Sequence, residues 1–162
     1  MPAKPAKAAP IPRAPATEQP IDLGILPELI GYHLRRAQLN VFQDFTRAIG
    51  AGELTPGQYG ALVVIDRNPG LSQTRLGQTL GIDRSTLVAV IDRLEARGLV
   101  ERANAPNDRR SYALHASDAG KALLVELTRR VRAHEDYIAG DLGASERAAL
   151  IASLRRIRRP PA

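Results

Sequence analysis

Apolar residues recur at helical spacing in six stretches of the chain, with Gly, Pro and capping residues between them. The first stretch runs from about Pro27 to Ile49. Its stripe of Ile30, Leu34, Ala37, Val41, Phe45 and Ala48 keeps one helical face apolar over about five turns. Leu29, Tyr32, Phe42 and Ile49 widen that face. A helix so apolar on two sides needs two neighbours, one in its own chain and one in a second copy. Gly50-Ala51-Gly52 stops it. Thr55 then caps a second helix, with Pro56 at the first helical position. That helix carries Tyr59, Leu62, Val63 and Ile65 and ends before Asn68-Pro69-Gly70. Farther on, Ser117 caps a long helix to about Ala139, with Leu123, Leu127, Val131, His134 and Ile138 along it. After Gly140-Asp141-Leu142-Gly143, Ser145 is expected to cap a last helix with Leu150, Ile151, Leu154 and Ile157 inside. Its final cations, Arg155, Arg156, Arg158 and Arg159, stand where the helix dipole favours positive charge.

Between the second and fifth helical stretches lie two short ones. Ser72 caps the first, which buries Leu76 and Leu80, and Gly81 suits the left-handed residue just past its end. Asp83 caps the next, where Leu87, Val90, Ile91 and Leu94 form one stripe and Gly98 is the stop. The opposite face carries Arg84, Ser85, Thr86, Val88, Ala89 and Arg93, all short or basic. Such a face can enter a major groove and touch base edges. After Gly98, Leu99-Val100-Glu101-Arg102 reads as a strand. Residues 104–108, Asn-Ala-Pro-Asn-Asp, must turn. Tyr112-Ala113-Leu114 runs back as a second strand, with Arg109 and Arg110 in or beside the tip. A helix-turn-helix followed by an Arg-tipped hairpin is suited to DNA, since Arg favours the negative potential of a narrow minor groove.

The run from Leu71 to Gly120 resembles the winged helix-turn-helix of the MarR family of bacterial transcription regulators. The carrying residues are Thr86-Leu87-Val88, the run Asp92 to Val100 (DRLEARGLV), Asp108-Arg109-Arg110 and the run Leu114 to Gly120 (LHASDAG). Ala116-Ser117 replaces a more usual Leu-Thr pair. Asp108 and Arg110 of the wing are the most specific piece, and the likeness extends through residues 25–158. The resemblance implies a mainly α fold with a small β-hairpin: a winged helix-turn-helix over 54–114 and a helical dimerisation region over 21–53 and 115–159. It implies that the first helix joins the last two in a homodimer. It also implies that Asp108 pairs with Arg110 and steadies the wing. Which of Arg109 and Arg110 enters the groove is left open. Arg75, Arg84, Ser85, Thr86, Arg93, Asp108, Arg109 and Arg110 are the expected DNA-contacting residues.

Composition narrows the picture. The chain has 162 residues, a formal net charge of +6 and no cysteine. A pI near 10.3 suits a polyanionic partner, here double-stranded DNA. Without Cys there is no disulfide, zinc-thiolate site or thiol sensor, although some members of the resembled family sense oxidants through Cys. Met1 is the sole methionine. No apolar run approaches the roughly 18 residues of a membrane span, and no secretory signal is visible, so cytoplasm is the expectation. Residues 1–20 hold six prolines and read as a disordered basic Pro/Ala-rich tail. His33, His115 and His134 show no ligand spacing, so no metal or cofactor is expected. No nucleophile elbow, phosphate loop or paired-carboxylate frame is present, which argues against an enzyme.

The family resemblance places effector sites between the first, second and fifth helices. His33, Arg35, Arg36, Asn40 and Tyr59 fall in that region and would suit an aromatic carboxylate or its coenzyme A thioester. The segment from Gly31 to Arg36 resembles family members linked to aromatic acid breakdown. The resulting expectation is a ligand-responsive homodimeric regulator, a repressor released from a pseudo-palindromic operator. The rivals are an effector-independent architectural DNA binder and a helical dimer that no longer contacts DNA.

Overall fold

The computed structural model describes residues 21–50, 52–105 and 108–157, with the side chains of residues 104–111 outside that description. A 3-10 turn, Leu26–Glu28, leads into α1, Ile30–Ile49. Then follow α2 (Pro56–Arg67), β1 (Leu71–Ser72), α3 (Gln73–Leu80), α4 (Arg84–Ala96), β2 (Val100–Ala105), β3 (Asp108–Ala116), α5 (Asp118–Ala139) and α6 (Ala144–Arg156). The sheet is antiparallel in the order β1-β3-β2, with Leu71 opposite Leu114 and Val100 opposite Ala116. The architecture is the mainly helical, winged one expected from the sequence.

Four caps formed as their residue types require. Thr55 Oγ1 accepts from the Gln58 N–H, and the Gln58 side chain accepts from the Thr55 N–H at 2.9 Å, a complete capping box. Ser72 accepts from the Arg75 N–H, Asp83 from the Thr86 N–H and Ser117 from the Gly120 N–H. Gly81 has φ +65, the left-handed conformation that closes α3 without a Cβ clash.

The core joins all layers. Ile49, Leu62, Ile65, Leu76, Ile91, Leu94, Val100, Leu114 and Leu127 are fully buried. At Gly120 the start of α5 passes against the chain after α4. A Cβ there would lie 2.2 Å from the Leu99 carbonyl oxygen, so only glycine fits.

Several details differ from the sequence expectation. α1 begins at Ile30, because Pro27 sits in the preceding 3-10 turn. The cap of α6 is Gly143, not Ser145: the Glu146 carboxylate accepts from the Gly143 N–H at 2.8 Å and does the work of a cap side chain. Leu80 is half-buried, and on α5 the buried partner of Leu127 is Leu124 rather than Leu123. β1 has no counterpart in the sequence pattern. It is two residues long, too short for periodicity, and exists because Leu71 and Ser72 lie alongside β3. Leu150, Ile151, Leu154 and Ile157 of α6 are not inside this chain; they are 43–47% exposed. Ile30, Leu39 and Phe42 of α1 are exposed as well. The tail 1–20 and Arg158 and Arg159 lie outside the described residues.

Candidate functional site

The helix expected to read DNA is α4. Its stripe of Leu87, Ile91 and Leu94 is buried, with Val90 half-buried, and this orients the remaining face outward. Arg84, Ser85, Thr86, Val88, Ala89, Asp92 and Arg93 are all exposed. None of the ion pairs among the described residues engages Arg75, Arg84 or Arg93, so their guanidinium groups are available to phosphates or base edges. Ser85, one of the residues expected to contact DNA, is exposed and also takes part in the helix cap. Its hydroxyl donates to the Asp83 carboxylate, which also accepts from the Thr86 N–H. These hydrogen bonds, Ser85 first and then Thr86, hold the Asp83 carboxyl well below the ordinary aspartate range. Ser85 and Thr86 therefore fasten the N-terminus of the reading helix. Thr86 remains exposed.

Two arginines not singled out in the sequence fix how α4 sits. Arg102 of β2 pairs with both Asp92 and Glu95 of α4 while its own side chain is 18% exposed. This double ion pair ties the wing to the reading helix. The signal was present as two acids three apart on one helix, followed by an Arg in the next strand. Arg97, just past α4, pairs with Glu53 at 3.4 Å and donates to the Glu53 carbonyl oxygen. The side chains of Asp108, Arg109 and Arg110 lie outside the described residues, and with them the expected Asp108–Arg110 pair. The backbone of all three belongs to β3. Between α3 and α4 a groove of about 560 Å³ opens, lined in part by Gln73, Arg84, Leu87, Val88 and Tyr112.

The residues expected to hold an effector fall into two groups. At the start of α1, the His33 ring Nε2 lies 2.7 Å from the Pro27 carbonyl oxygen. Arg36 donates to the Tyr32 hydroxyl at 3.1 Å and lies over its ring, and Arg35 donates to Gln38. Asn40 is exposed. Tyr59 belongs elsewhere: it packs on Phe45 with ring centroids 5.9 Å apart, and its hydroxyl is 3.5 Å from Thr128 Oγ1. Phe45 is twelve residues beyond His33, about 18 Å along the helix. Within one chain, the structure does not bring Tyr59 to His33, Arg35 and Arg36.

Against Phe45 also stands His134 of α5, which the sequence offers as a stripe residue without ligand spacing. It is 3% exposed and meets the Phe45 ring edge-to-face at 5.5 Å. Neither ring nitrogen has a hydrogen-bond partner among the described residues. A buried polar atom without a partner forfeits about 1–3 kcal/mol. The ring lines a groove of about 410 Å³ between α1 and α5, with Arg47, Arg130 and Tyr137 around it. Arg130 also donates to the Ile49 carbonyl oxygen at 2.9 Å and pairs with Glu126. No group of metal-ligating side chains occurs among the described residues, and no described helix is long and apolar enough to cross a membrane.

Comparison with known proteins agrees with this geometry. The MarR family model matches residues 53–111, which span the reading helix and most of the wing. A protein of Thauera aromatica named for transcriptional regulation of the hcr operon is 41% identical over 131 residues, covering 80% of this chain and 79% of its own length. The transcriptional repressor CouR bound to a 23-mer DNA duplex superposes with a TM-score of 0.80 at 44% identity, covering 87% of this chain and all of CouR. CouR bound to p-coumaroyl-CoA gives 0.79 at 40% identity, covering 88% of this chain and again all of CouR. The chain belongs to the MarR family of DNA-binding transcriptional regulators, which are not enzymes.

Proposed function

We propose that this regulator acts as a cytoplasmic homodimeric repressor, released from a pseudo-palindromic operator by an aromatic acid or its coenzyme A thioester. The helix-turn-helix and wing, residues 54–114, form the reading head. Residues 21–53 and 115–159 form the joint between two copies. Arg75, Arg84, Ser85, Thr86, Arg93 and the wing residues Asp108, Arg109 and Arg110 make or steady the DNA contacts. Two such heads on a two-fold axis require half-sites about 34 Å apart.

The observation that carries the effector half of this reading is His134, a buried imidazole with no hydrogen-bond partner among the described residues, set against the Phe45 ring on which Tyr59 also packs. An aromatic ligand ring against Phe45 and Tyr59 would give that imidazole a hydroxyl or carbonyl to bond. The arm of a thioester, rich in phosphate, would extend to the cations of α1, with His33, Arg35, Arg36 and Asn40 at its far end. The relative solved with p-coumaroyl-CoA supports this ligand class. A ligand that prefers one arrangement of the two heads shifts the dimer toward it, and operator release follows by linkage.

The test is DNA binding by the full chain, titrated with aromatic acids and with their thioesters. Release by a member of either class, with tighter ligand binding to the free protein than to the DNA complex, is the expected result. Equal affinity for the two forms would end the proposal. Arg36→Ala should weaken a thioester about tenfold, the worth of one charge-assisted phosphate contact, while leaving a free acid unchanged.

A further inference from the structure

On the exposed face of α4, one side chain does not fit the polar company it keeps. Val88 is 38% exposed, between Arg84 one turn before it and Asp92 one turn after. It contributes nothing to the core cluster, which takes Leu87, Ile91 and Leu94 from this helix. A second exposed apolar ring stands near it. Tyr112 of β3 is 49% exposed, and Val88 and Tyr112 together line both the groove between α3 and α4 and a shallower one running to Asp92, Glu95 and Arg102. Reading helix and wing thus each contribute an apolar surface to the same place on the face that meets DNA.

The edges of the bases in a major groove offer donors, acceptors and one apolar group, the C5 methyl of thymine. An aliphatic side chain presented there has that methyl as its natural complement. We propose that Val88 is a specificity-determining residue that reads a thymine methyl in each half-site, with the Tyr112 ring walling the contact and its hydroxyl donating to a backbone phosphate. The proposal rests on α4 being the element that enters the groove. Arg84 lies four residues before Val88 and so projects on the same side of the helix. The thymine read by Val88 therefore lies next to whatever base or phosphate Arg84 takes.

The experiment begins by selecting duplexes from a random pool with the full-length protein. Each thymine of the enriched site is then replaced by deoxyuridine, which removes the methyl and keeps every hydrogen-bonding group. For the wild type, one position per half-site should weaken binding about fourfold when replaced, the worth of about one buried methyl group. Val88→Ala should bind the thymine site more weakly and be indifferent to deoxyuridine at that position. Ala is a strong helix former and the site is exposed, so an unchanged melting temperature is the check on folding. Tyr112→Phe should weaken all duplexes alike. Deoxyuridine without effect at every position, or an equal deoxyuridine penalty in Val88→Ala, overturns the proposal. Failure of the pool to yield any enriched site would instead overturn the reading of α4 itself, so the two failures are distinguishable.

Discussion

Asp83 is held ionised by the hydroxyl and amide groups around it, and its role is to anchor the first turn of α4. Its carboxyl titrates lower in the folded chain than in the unfolded one. The resulting stabilisation is therefore complete above the ordinary aspartate range, near about pH 4, and fades only as acid takes the solution below it. Asp83→Ala should lower the melting temperature at pH 7, and the difference should shrink progressively as the pH falls below about 4. Asp83→Asn, which keeps an accepting oxygen, should fall between the two. Gly120 presents the opposite case, a position defined by lack of space. The Leu99 carbonyl oxygen is backbone and cannot swing aside, so Gly120→Ala must move α5 or the turn after α4. Urea unfolding should show a loss of about 1–3 kcal/mol, as overpacking typically gives. A neutral result would mean that α5 slides freely there.

At the scale of elements, Arg102 holds the wing on α4 through Asp92 and Glu95. Partly exposed pairs add little stability, about 0–1 kcal/mol each. Arg102→Ala should therefore melt within a few degrees of the wild type yet bind DNA about tenfold more weakly. That fold-change corresponds to about 1.4 kcal/mol spent on re-ordering wing against helix. Anisotropy titrations at two salt concentrations check this, and an unchanged affinity would show that the wing needs no such tether. Legibility from sequence also divides at this scale. α2, α3, α4 and α5 were readable because each carries a side-chain cap before an apolar stripe. Gly143 has no side chain to announce a cap, so the neighbouring Ser145 drew the assignment, and β1 is too short to carry a pattern. In the site, the outward face of α4 followed from its stripe. That Ser85 also donates to Asp83 is not legible in a one-dimensional pattern, since only the fold of the turn brings the two side chains together. The position of His134 is not legible because α5 places it in a stripe of aliphatics, and only the fold shows it buried against Phe45 with no partner for its nitrogens among the described residues.

Over the whole molecule, apolar surface is distributed in a way that one chain does not resolve. Ile21, Ile25, Leu26, Leu29, Ile30, Leu39 and Phe42 near one end of the sequence are 40–85% exposed, as are Leu150, Ile151, Leu154 and Ile157 near the other. Side chains of this size lose about 1.5–3 kcal/mol each when left in water rather than buried, and large exposed apolar patches mark interfaces. A second copy is the occupant in our reading. Leu154→Asp combined with Ile151→Asp should convert the particle seen by analytical ultracentrifugation from twice the subunit mass to the subunit mass, with operator binding reduced at least a hundredfold. The wild type sedimenting at 17.5 kDa at micromolar concentration would contradict it.

The bond from Arg130 to the Ile49 carbonyl has a consequence for signalling. Ile49 is the last residue of α1, where helix carbonyls otherwise want for partners. The same guanidinium borders the crevice where His134 waits, and three residues beyond Gly50 the backbone of Glu53 is gripped by Arg97 at the heel of the reading helix. A phosphate or carboxylate that lured Arg130 away would thus strip the last carbonyl of α1 of its partner, four positions before the Glu53 backbone that Arg97 holds.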